Sequence, residues 1–331
     1  MYVDDLIITG ARASDIARFK EEMASQFKMS DLGSLSYYLG IEVRQGADSI
    51  KLGQRAYVLK LLERAGMVGC KPVATPMEER VKLSKQSTAE KVDATLYRSI
   101  VGGLRWLTHT RPDIAFAVGY VSRFMEDPRE DHWAAVKRLL RYVQGSAEMG
   151  LIFPKRGGLR LSVFSEAPPR IGEAELVAYS DADMAGDVDG RRSTSGVLVF
   201  LGTAPVAWQS LKQKMVALST CEAEYVAAAT AACQVVWLRR LLSELTGSKA
   251  QAPALEMDNQ PAIALAKNPV LHDRSKHIDV KFHFLRDCVD GGQLIIEFVE
   301  TGRQLADILT KSLGKLRFQE LRKMIGMVEV K

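Results

Sequence analysis

Residues 175–183 read ELVAYSDAD, an apolar and aromatic run that closes on two acids spaced two apart. A short apolar run of this kind predicts a buried strand over Glu175–Ser180, with Asp181 at its end. Outward from it, further strands are predicted at Gly196–Leu201 and Met215–Leu218, and the pattern then turns helical from about Thr220 to Leu245. A strand Ala254–Met257, a helix Gln260–Lys267, a helix near Ile278–Val289, a strand Gln293–Val299 and a helical stretch from Arg303 follow. Three strands are joined by tight connections and two are reached through helices. That order predicts an α/β fold, a mixed five-stranded sheet with helices packed on it.

Four acids stand at the ends of these elements: Asp181 closes the first strand, Glu224 lies in the first turns of the long helix, Asp258 ends a strand (LEMDNQ) and Asp307 lies in the final helix (QLADIL). If they converge on one sheet edge, their mutual repulsion calls for a hard divalent cation, magnesium or manganese, with oxygen ligands. On position alone, four unrelated surface acids are the commoner explanation. The helix itself separates its two glutamates. Ser219-Thr220-Cys221-Glu222 fits a capping box, with Ser219 accepting from the Glu222 backbone and Glu222 reaching back to the Ser219 backbone N–H. Glu224 points about 200° away from Glu222 around the helix, which leaves Glu224 to face Asp181. Asp183 would share that face only if the strand continued, and the following AGDVDG reads as a turn.

Upstream, a helix is predicted from Ser14 to Phe27, with Ser14 as its cap and Ile16, Phe19, Met23 and Phe27 on one face. Strands at Ser36–Val43 and Ser49–Leu52, a helix Gln54–Ala65 and a proline-bearing connector Cys70–Met77 come next. The polar stretch Ser84–Thr95 reads as a linker. Helices follow at Pro112–Met125, where proline suits the first turn, and at Arg129–Gln144. On the latter, Lys137, Arg138 and Arg141 cluster at spacings of three and four, a face suited to tracking a phosphate backbone. Gly157-Gly158 and Pro168-Pro169 mark a boundary before the last domain.

The chain has 331 residues, 47% hydrophobic and 26% charged, which excludes disorder and fibrous repeats. No run of about 18 apolar residues is present, and the first residues carry acids where a signal peptide would carry bases; an intracellular protein, in a cytoplasmic particle or the nucleus, is expected and no membrane partner. Four scattered cysteines without a CxxC pair argue against a disulfide framework or a zinc cluster. The net charge of +5 is uneven: residues 51–172 hold 21 Lys and Arg against 12 Asp and Glu, and residues 173–331 hold 19 against 20. A basic segment beside a neutral one suits a polyanion-binding surface, although a solvated basic face is commoner.

The segments YSDAD, RRSTSGVLVFLG, APVAWQS, STCEAEYVA, EMDNQPAI, SKHIDVKFHFLRD and QLADILTKSL, in this order, resemble the ribonuclease H domain of copia-type (Pseudoviridae) retrotransposon Pol polyproteins. YVDDLIITG, FKMSDLGSLSYYLGIEV, CKPVATPM, YRSIVGGLRWLTHTRPDIAFAV and SRFMEDPREDHWAAVKRLLRYVQG resemble the end of the same family's reverse transcriptase. The resemblance implies three parts: a palm and thumb remnant over 1–83, a helical thumb or connection region over 84–172 and a ribonuclease H-like domain over 173–331. It further implies that Asp181, Glu224, Asp258 and Asp307 bind two Mg²⁺ or Mn²⁺ ions and hydrolyse the RNA of an RNA/DNA hybrid. Other products of the same polyprotein are implied as partners.

In the YVDD motif, Asp4 and Asp5 resemble the paired catalytic acids of the polymerase. The other polymerase parts are not in this sequence, so polymerisation by this chain alone is not expected. Where many ribonucleases H carry a histidine before the last helix, Thr301 stands here; His277 and His283 are expected to be structural or weakly substrate-facing. Asn259 and Gln260, with Ser193, Thr194 and Ser195, are candidates for 2′-hydroxyl contacts, and Arg191, Arg192, Lys212 and Lys214 for phosphate contacts. Two other outcomes stay open, a nucleic-acid-binding remnant without catalysis and a piece of a longer polyprotein. The last domain is expected to behave better alone, because a truncated upstream hairpin leaves an open strand edge.

Overall fold

The structure, a computed structural model, describes residues 6–10, 12–154, 175–267 and 279–330. In chain order it contains α1 (Ala13–Gln26), β1 (Tyr37–Tyr38), β2 (Ile41–Gln45), β3 (Ser49–Gly53), α2 (Arg55–Arg64), α3 (Ala94–Leu107), α4 (Ala115–Val121), α5 (Glu130–Gly145) and β4 (Met149–Pro154). Beyond these come β5 (Leu176–Ala182), β6 (Thr194–Leu201), β7 (Ala204–Lys212), α6 (Thr220–Thr246), β8 (Ala254–Met257), α7 (Gln260–Lys267), α8 (Asp279–Asp290), β9 (Ile295–Phe298), α9 (Lys315–Met324) and β10 (Met327–Glu329).

The predicted mixed sheet is present, in the order β7-β6-β5-β8-β9. β5, β6 and β7 are antiparallel neighbours, whereas β8 runs parallel to β5 and β9 parallel to β8. Side chains alternate across β6, so Val197 and Val199 face one core while Leu198 and Phe200 face the other. The first core is closed by α6, whose Ala227, Ala228, Ala231 and Ala232 are fully buried and bring the helix close to the sheet. Against the opposite face pack α4, which meets β7, and the segment Leu305–Leu309, which meets β5 and β6, and there Leu198 and Phe200 join the core of the first half. A strand buried on both faces reads as a continuous apolar run, and TSGVLVFL is one.

The third strand departs from expectation. It is β7, Ala204–Lys212, and not Met215–Leu218, which lies in the turn before α6. Pro205 obscured it, because proline is tolerated only at an edge or at the start of a strand; β7 is an edge strand. Its Trp208 indole donates to the Thr108 carbonyl at 2.9 Å, tying the sheet to the helical layer. The polar stretch 84–95 also hides a start signal. Asp93 accepts from the backbone N–H of Thr95 and Leu96 (2.7 and 3.2 Å) and so caps α3. Gly103 sits where α3 meets α2; a Cβ there would lie 2.6 Å from Leu61. The cap expected at Ser14 is not used, because α1 begins at Ala13 after Arg12.

A second sheet has the order β1-β2-β3-β4-β10. Its last member comes from the far end of the chain, with Leu151 opposite Met327 and Gly150 opposite Val328. Residues Leu305, Ile308, Leu309, Phe318, Leu321 and Met324 join the core of the first half. Packing therefore crosses the boundary expected at 172/173, and residues beyond it fill the upstream core. That runs against the expectation that the last domain behaves better alone.

A buried polar cluster pins this return. Arg111, 1% exposed, donates from Nε and Nη2 to the two oxygens of Asp113 (2.8 Å each) and from Nη1 to the Ser146 carbonyl (2.8 Å). Tyr142 donates its hydroxyl to Asp113 and accepts from Arg322 of α9 at 3.0 Å. Burial alone would favour the neutral carboxyl, but Arg111 and the hydroxyl hold Asp113 below its ordinary value.

Candidate functional site

β5 and β8 are parallel neighbours, with Tyr179 opposite Glu256, so both run out at the same sheet edge. Asp181 lies near the end of β5 and Asp258 directly follows β8. α6 crosses above that edge. Ser219 Oγ accepts from the Glu222 backbone N–H at 3.2 Å, as predicted, but Glu222 accepts from Leu218, one residue earlier than expected (2.8 Å). With Glu222 held at the cap, Glu224 turns to the acids. Ligand-capable oxygens of Asp181, Glu224 and Asp258 all lie within 4.8 Å of one another. These three of the four predicted acids form one cluster.

The fourth, Asp307, is adjacent and differently served. It lies on a 3-10 turn, Leu305–Leu309, where the sequence predicts a continuous helix. Gln304 holds that turn, accepting from the Ala306 backbone (3.1 Å) and donating to the Ser180 carbonyl (3.0 Å). Lys311 Nζ stands 2.7 Å from Asp307 and 3.7 Å from Asp181, and Arg317 is 3.9 Å from Asp307. The buried Thr310 hydroxyl donates to Asp181 Oδ2. Thr310, Lys311 and Arg317 were missed in the sequence, although the i,i+4 spacing of Asp307 and Lys311 in ADILTK is a recognised pairing distance.

Gly196 makes this arrangement possible. It pairs with Asp181 in the β5–β6 ladder, and a Cβ on it would lie 2.7 Å from Thr310 Cγ2, 2.9 Å from the Ala306 carbonyl and 3.0 Å from Leu309 Cβ. No real side chain fits against a backbone carbonyl at that distance. Gly196→Val should push the 305–310 turn off the sheet, lower stability by about 1–3 kcal/mol and remove any activity that needs Asp307 beside Asp181. Urea unfolding of the variant checks this, and wild-type stability would show the packing to be slack.

Electrostatics bear the mark of crowded negative charge. Burial raises Glu224 to about 9, with Asp181 and Asp258 adding repulsion. Burial likewise raises Asp307, to about 6, with Asp181 adding to it and Lys311 opposing. Asp258 is raised by burial and by Asp181, while a hydrogen bond from Thr301 lowers it. Thr301, at the position where a histidine was sought, therefore serves Asp258. Glu224 Oε2 is buried with no hydrogen-bond partner among the described residues. A partnerless buried carboxylate oxygen beside two further carboxylates fits a hard divalent cation with oxygen ligands.

Other predicted residues have different roles. Asp183 accepts from the Thr194 backbone and donates its own N–H to the Thr194 carbonyl (3.2 Å), so it closes the turn after β5. Ser193, Thr194 and Ser195 are buried and bonded to Ala185, Arg123 and Gln213, which gives them structural work in place of 2′-hydroxyl contact. Asn259 accepts from the Ala262 backbone at 3.0 Å and caps α7, while Gln260 is exposed. Arg191, Arg192 and Lys214 are exposed; Lys212 is paired with Asp187 at 2.7 Å. On α5, Arg138 binds Glu78 and Thr75 (3.2 and 3.0 Å) and Arg141 binds the Lys71 carbonyl (2.8 Å), so both fasten the 71–78 connector; Lys137 pairs with Glu130 near solvent. His283 is exposed on α8. Asp4, Asp5 and His277 lie outside the described residues.

Residues 1–79 match the family described as reverse transcriptase (RNA-dependent DNA polymerase). The retrovirus-related Pol polyprotein from transposon RE2 of Arabidopsis thaliana is 41% identical over 330 residues, 100% of this chain and 22% of that protein. That from transposon TNT 1-94 of Nicotiana tabacum is 40% identical over 99% of this chain and 24% of its own length. The chain thus spans less than a quarter of these relatives. The putative transposon Ty5-1 protein of Saccharomyces cerevisiae is 31% identical over 71% of this chain and 72% of itself. A solved LC11-RNase H1 in complex with RNA/DNA hybrid covers 41% of the chain at 14% identity with a TM-score of 0.32, too slight a likeness to carry weight.

Proposed function

Because the chain belongs to the copia-type retrotransposon Pol polyprotein family, we propose that its β5–β9 half is a ribonuclease that hydrolyses the RNA strand of an RNA/DNA hybrid. The observation that carries this is the convergence of Asp181, Glu224 and Asp258 around an unpartnered buried Glu224 oxygen, with Asp307 alongside. In this reading the four carboxylates hold two magnesium or manganese ions. Such a pair supplies the activation of water and the neutralisation of the departing 3′ oxygen.

The protein's own contribution is placement. The ends of β5 and β8 fix Asp181 and Asp258 in the rigid sheet, and the capped start of α6 fixes Glu224. Thr310 and Thr301 orient Asp181 and Asp258 by donating to them. Lys311, on Asp307 and within reach of Asp181, is placed to offset charge that builds on a reacting phosphate. Gln260, exposed and two residues after Asp258, would meet a 2′-hydroxyl in this reading. Arg191, Arg192 and Lys214 would meet phosphates and fix register without reading sequence. Other proteins of the same element are the partners this reading implies, and the compartment is intracellular. Among the described residues no helix is long and apolar enough to cross a membrane.

The test is cleavage of an end-labelled RNA/DNA hybrid by the full chain with magnesium, beside the Asp181→Asn variant. Wild type should cut the RNA and leave the DNA whole, and the variant should be nearly inert. Equal cutting by both would remove Asp181 from the mechanism, and absence of cutting by folded wild type would overturn the reading.

A further inference from the structure

Beside the acids, on the far side of Asp307, lies an open cleft of about 710 Å³ built by two segments remote in sequence, residues 79–80 and residues 311–317. Four cations line it, Arg80, Lys311, Lys315 and Arg317, against the single acid Glu79. On α5, Arg138 and Arg141 are spent on the 71–78 connector, whereas Arg80 and Lys315 open onto a cleft; Arg317 is also paired with Glu320 at 2.9 Å.

Arg80 has φ +57°, a left-handed conformation that a side chain occupies at a cost. Its backbone N–H donates to Ser312 Oγ at 3.0 Å, which ties the 79–80 turn to the 311–317 segment. The Arg80 side chain remains 90% exposed, 3.8 Å from Glu79. Gly314 lies beside the Glu79 carboxylate, with the position of a Cβ 3.0 Å from Glu79 Oε2. Lys315 forms no ion pair among the described residues, and it starts α9 with Gly314 as a cap that offers no side-chain acceptor. Residues 315–317, the first turn of that helix, line the same cleft. Lys311 and Arg317 connect the cleft to the cluster, as both also contact Asp307.

We infer that this cleft binds backbone phosphates of the polynucleotide whose scissile bond lies at the acids, with Arg80 and Lys315 as its outer contacts and Lys311 as the link to the site. The inference rests on the nuclease reading for the identity of the strand, but not for the binding itself. It also gives the upstream half a direct part in substrate placement, because Arg80 belongs to that half.

The experiment is hybrid binding by the full chain, followed by fluorescence anisotropy in divalent-free buffer from 50 to 200 mM KCl, so that binding is read without cutting. Each phosphate contact contributes about 0.9 to the slope of log affinity against log salt. In the Arg80→Ala/Lys315→Ala variant the slope should be shallower by about 2, so that the affinity lost over this salt range shrinks by about tenfold relative to wild type. Glu79→Gln should shift the other way and bind a few-fold tighter (about 2–5-fold) by removing the one opposing charge. Circular dichroism and the melting temperature establish that the variants fold. An unchanged slope in the folded double variant overturns the inference even if wild type cuts hybrid. A reduced slope in a chain that cuts nothing sustains the cleft and overturns the nuclease.

Discussion

Glu224→Gln should lose about 10³-fold in hybrid cleavage and yet fold more tightly than wild type in divalent-free buffer at pH 8. The loss follows because the amide keeps the shape of the side chain but cannot supply the anionic oxygen that the cluster contributes. The gain follows from proton linkage. The unfolded chain ionises Glu224 near 4.5, whereas the folded chain holds the proton to about 9. The folded state therefore binds more protons across that window, and wild-type stability falls as pH rises through it. Glutamine removes that slope and adds an amide donor toward Asp181. Thermal melts at pH 5 and pH 8 without divalent ions check this: the variant should match wild type at pH 5 and exceed it at pH 8. Magnesium should raise the wild-type melting temperature at pH 8 and the variant's far less, since binding to the folded state alone stabilises it. Identical pH profiles for the two proteins would mean that Glu224 is not crowded by its neighbours.

Arg111→Leu should be among the most damaging single changes away from the acids. It leaves Asp113 buried and charged with its main counterion gone, a situation that costs about 3–5 kcal/mol. Asp113 then keeps only the Tyr142 hydroxyl of its strong partners, and Tyr142 is the group that Arg322 of α9 reaches. Urea unfolding followed by far-ultraviolet circular dichroism measures the effect. The double variant Arg111→Met/Asp113→Leu should recover a large part of the loss, because removing both charges together avoids the orphan. A loss below about 1 kcal/mol in the single variant, the range of a solvent-exposed pair, would show that water reaches the cluster.

Elements with a strong local signature are legible in the sequence. β8 and α7 fall at their predicted bounds, and the capping box at Ser219 assigned Glu222 and Glu224 their separate directions. What periodicity could not see was set by tertiary context. Pro205 masked β7, since nothing local reveals that β7 is an edge strand. α3 was hidden by a polar lead-in whose one informative residue, Asp93, is a cap. The final helix was expected to carry Asp307 and instead begins at Lys315, because the 305–309 turn is shaped by its seat on Gly196.

For the site, residue types and order indicated the acids, and the family resemblance raised them above ordinary surface carboxylates. Their partners were not legible. Thr310, Lys311 and Arg317 carry no motif of their own, and Arg80 enters through a turn more than 200 residues away in sequence. Conversely, Arg138 and Arg141 look like a phosphate-binding stripe on a helical wheel and prove to be the fastening of a connector. Spacing reports which side chains share a face, and only the packed chain reports what that face meets.

The pairing of Leu151 with Met327 also sets a clock for synthesis. At about 5–20 residues per second, roughly 10–35 s separate the emergence of β4 from that of β10. Through that interval β4 has β3 on one side and an open row of backbone donors and acceptors on the other, while the β5–β9 sheet is made and docks against the same helices. The upstream sheet therefore completes after the sheet that follows it, and a nascent chain stalled anywhere between them exposes a strand edge to its neighbours.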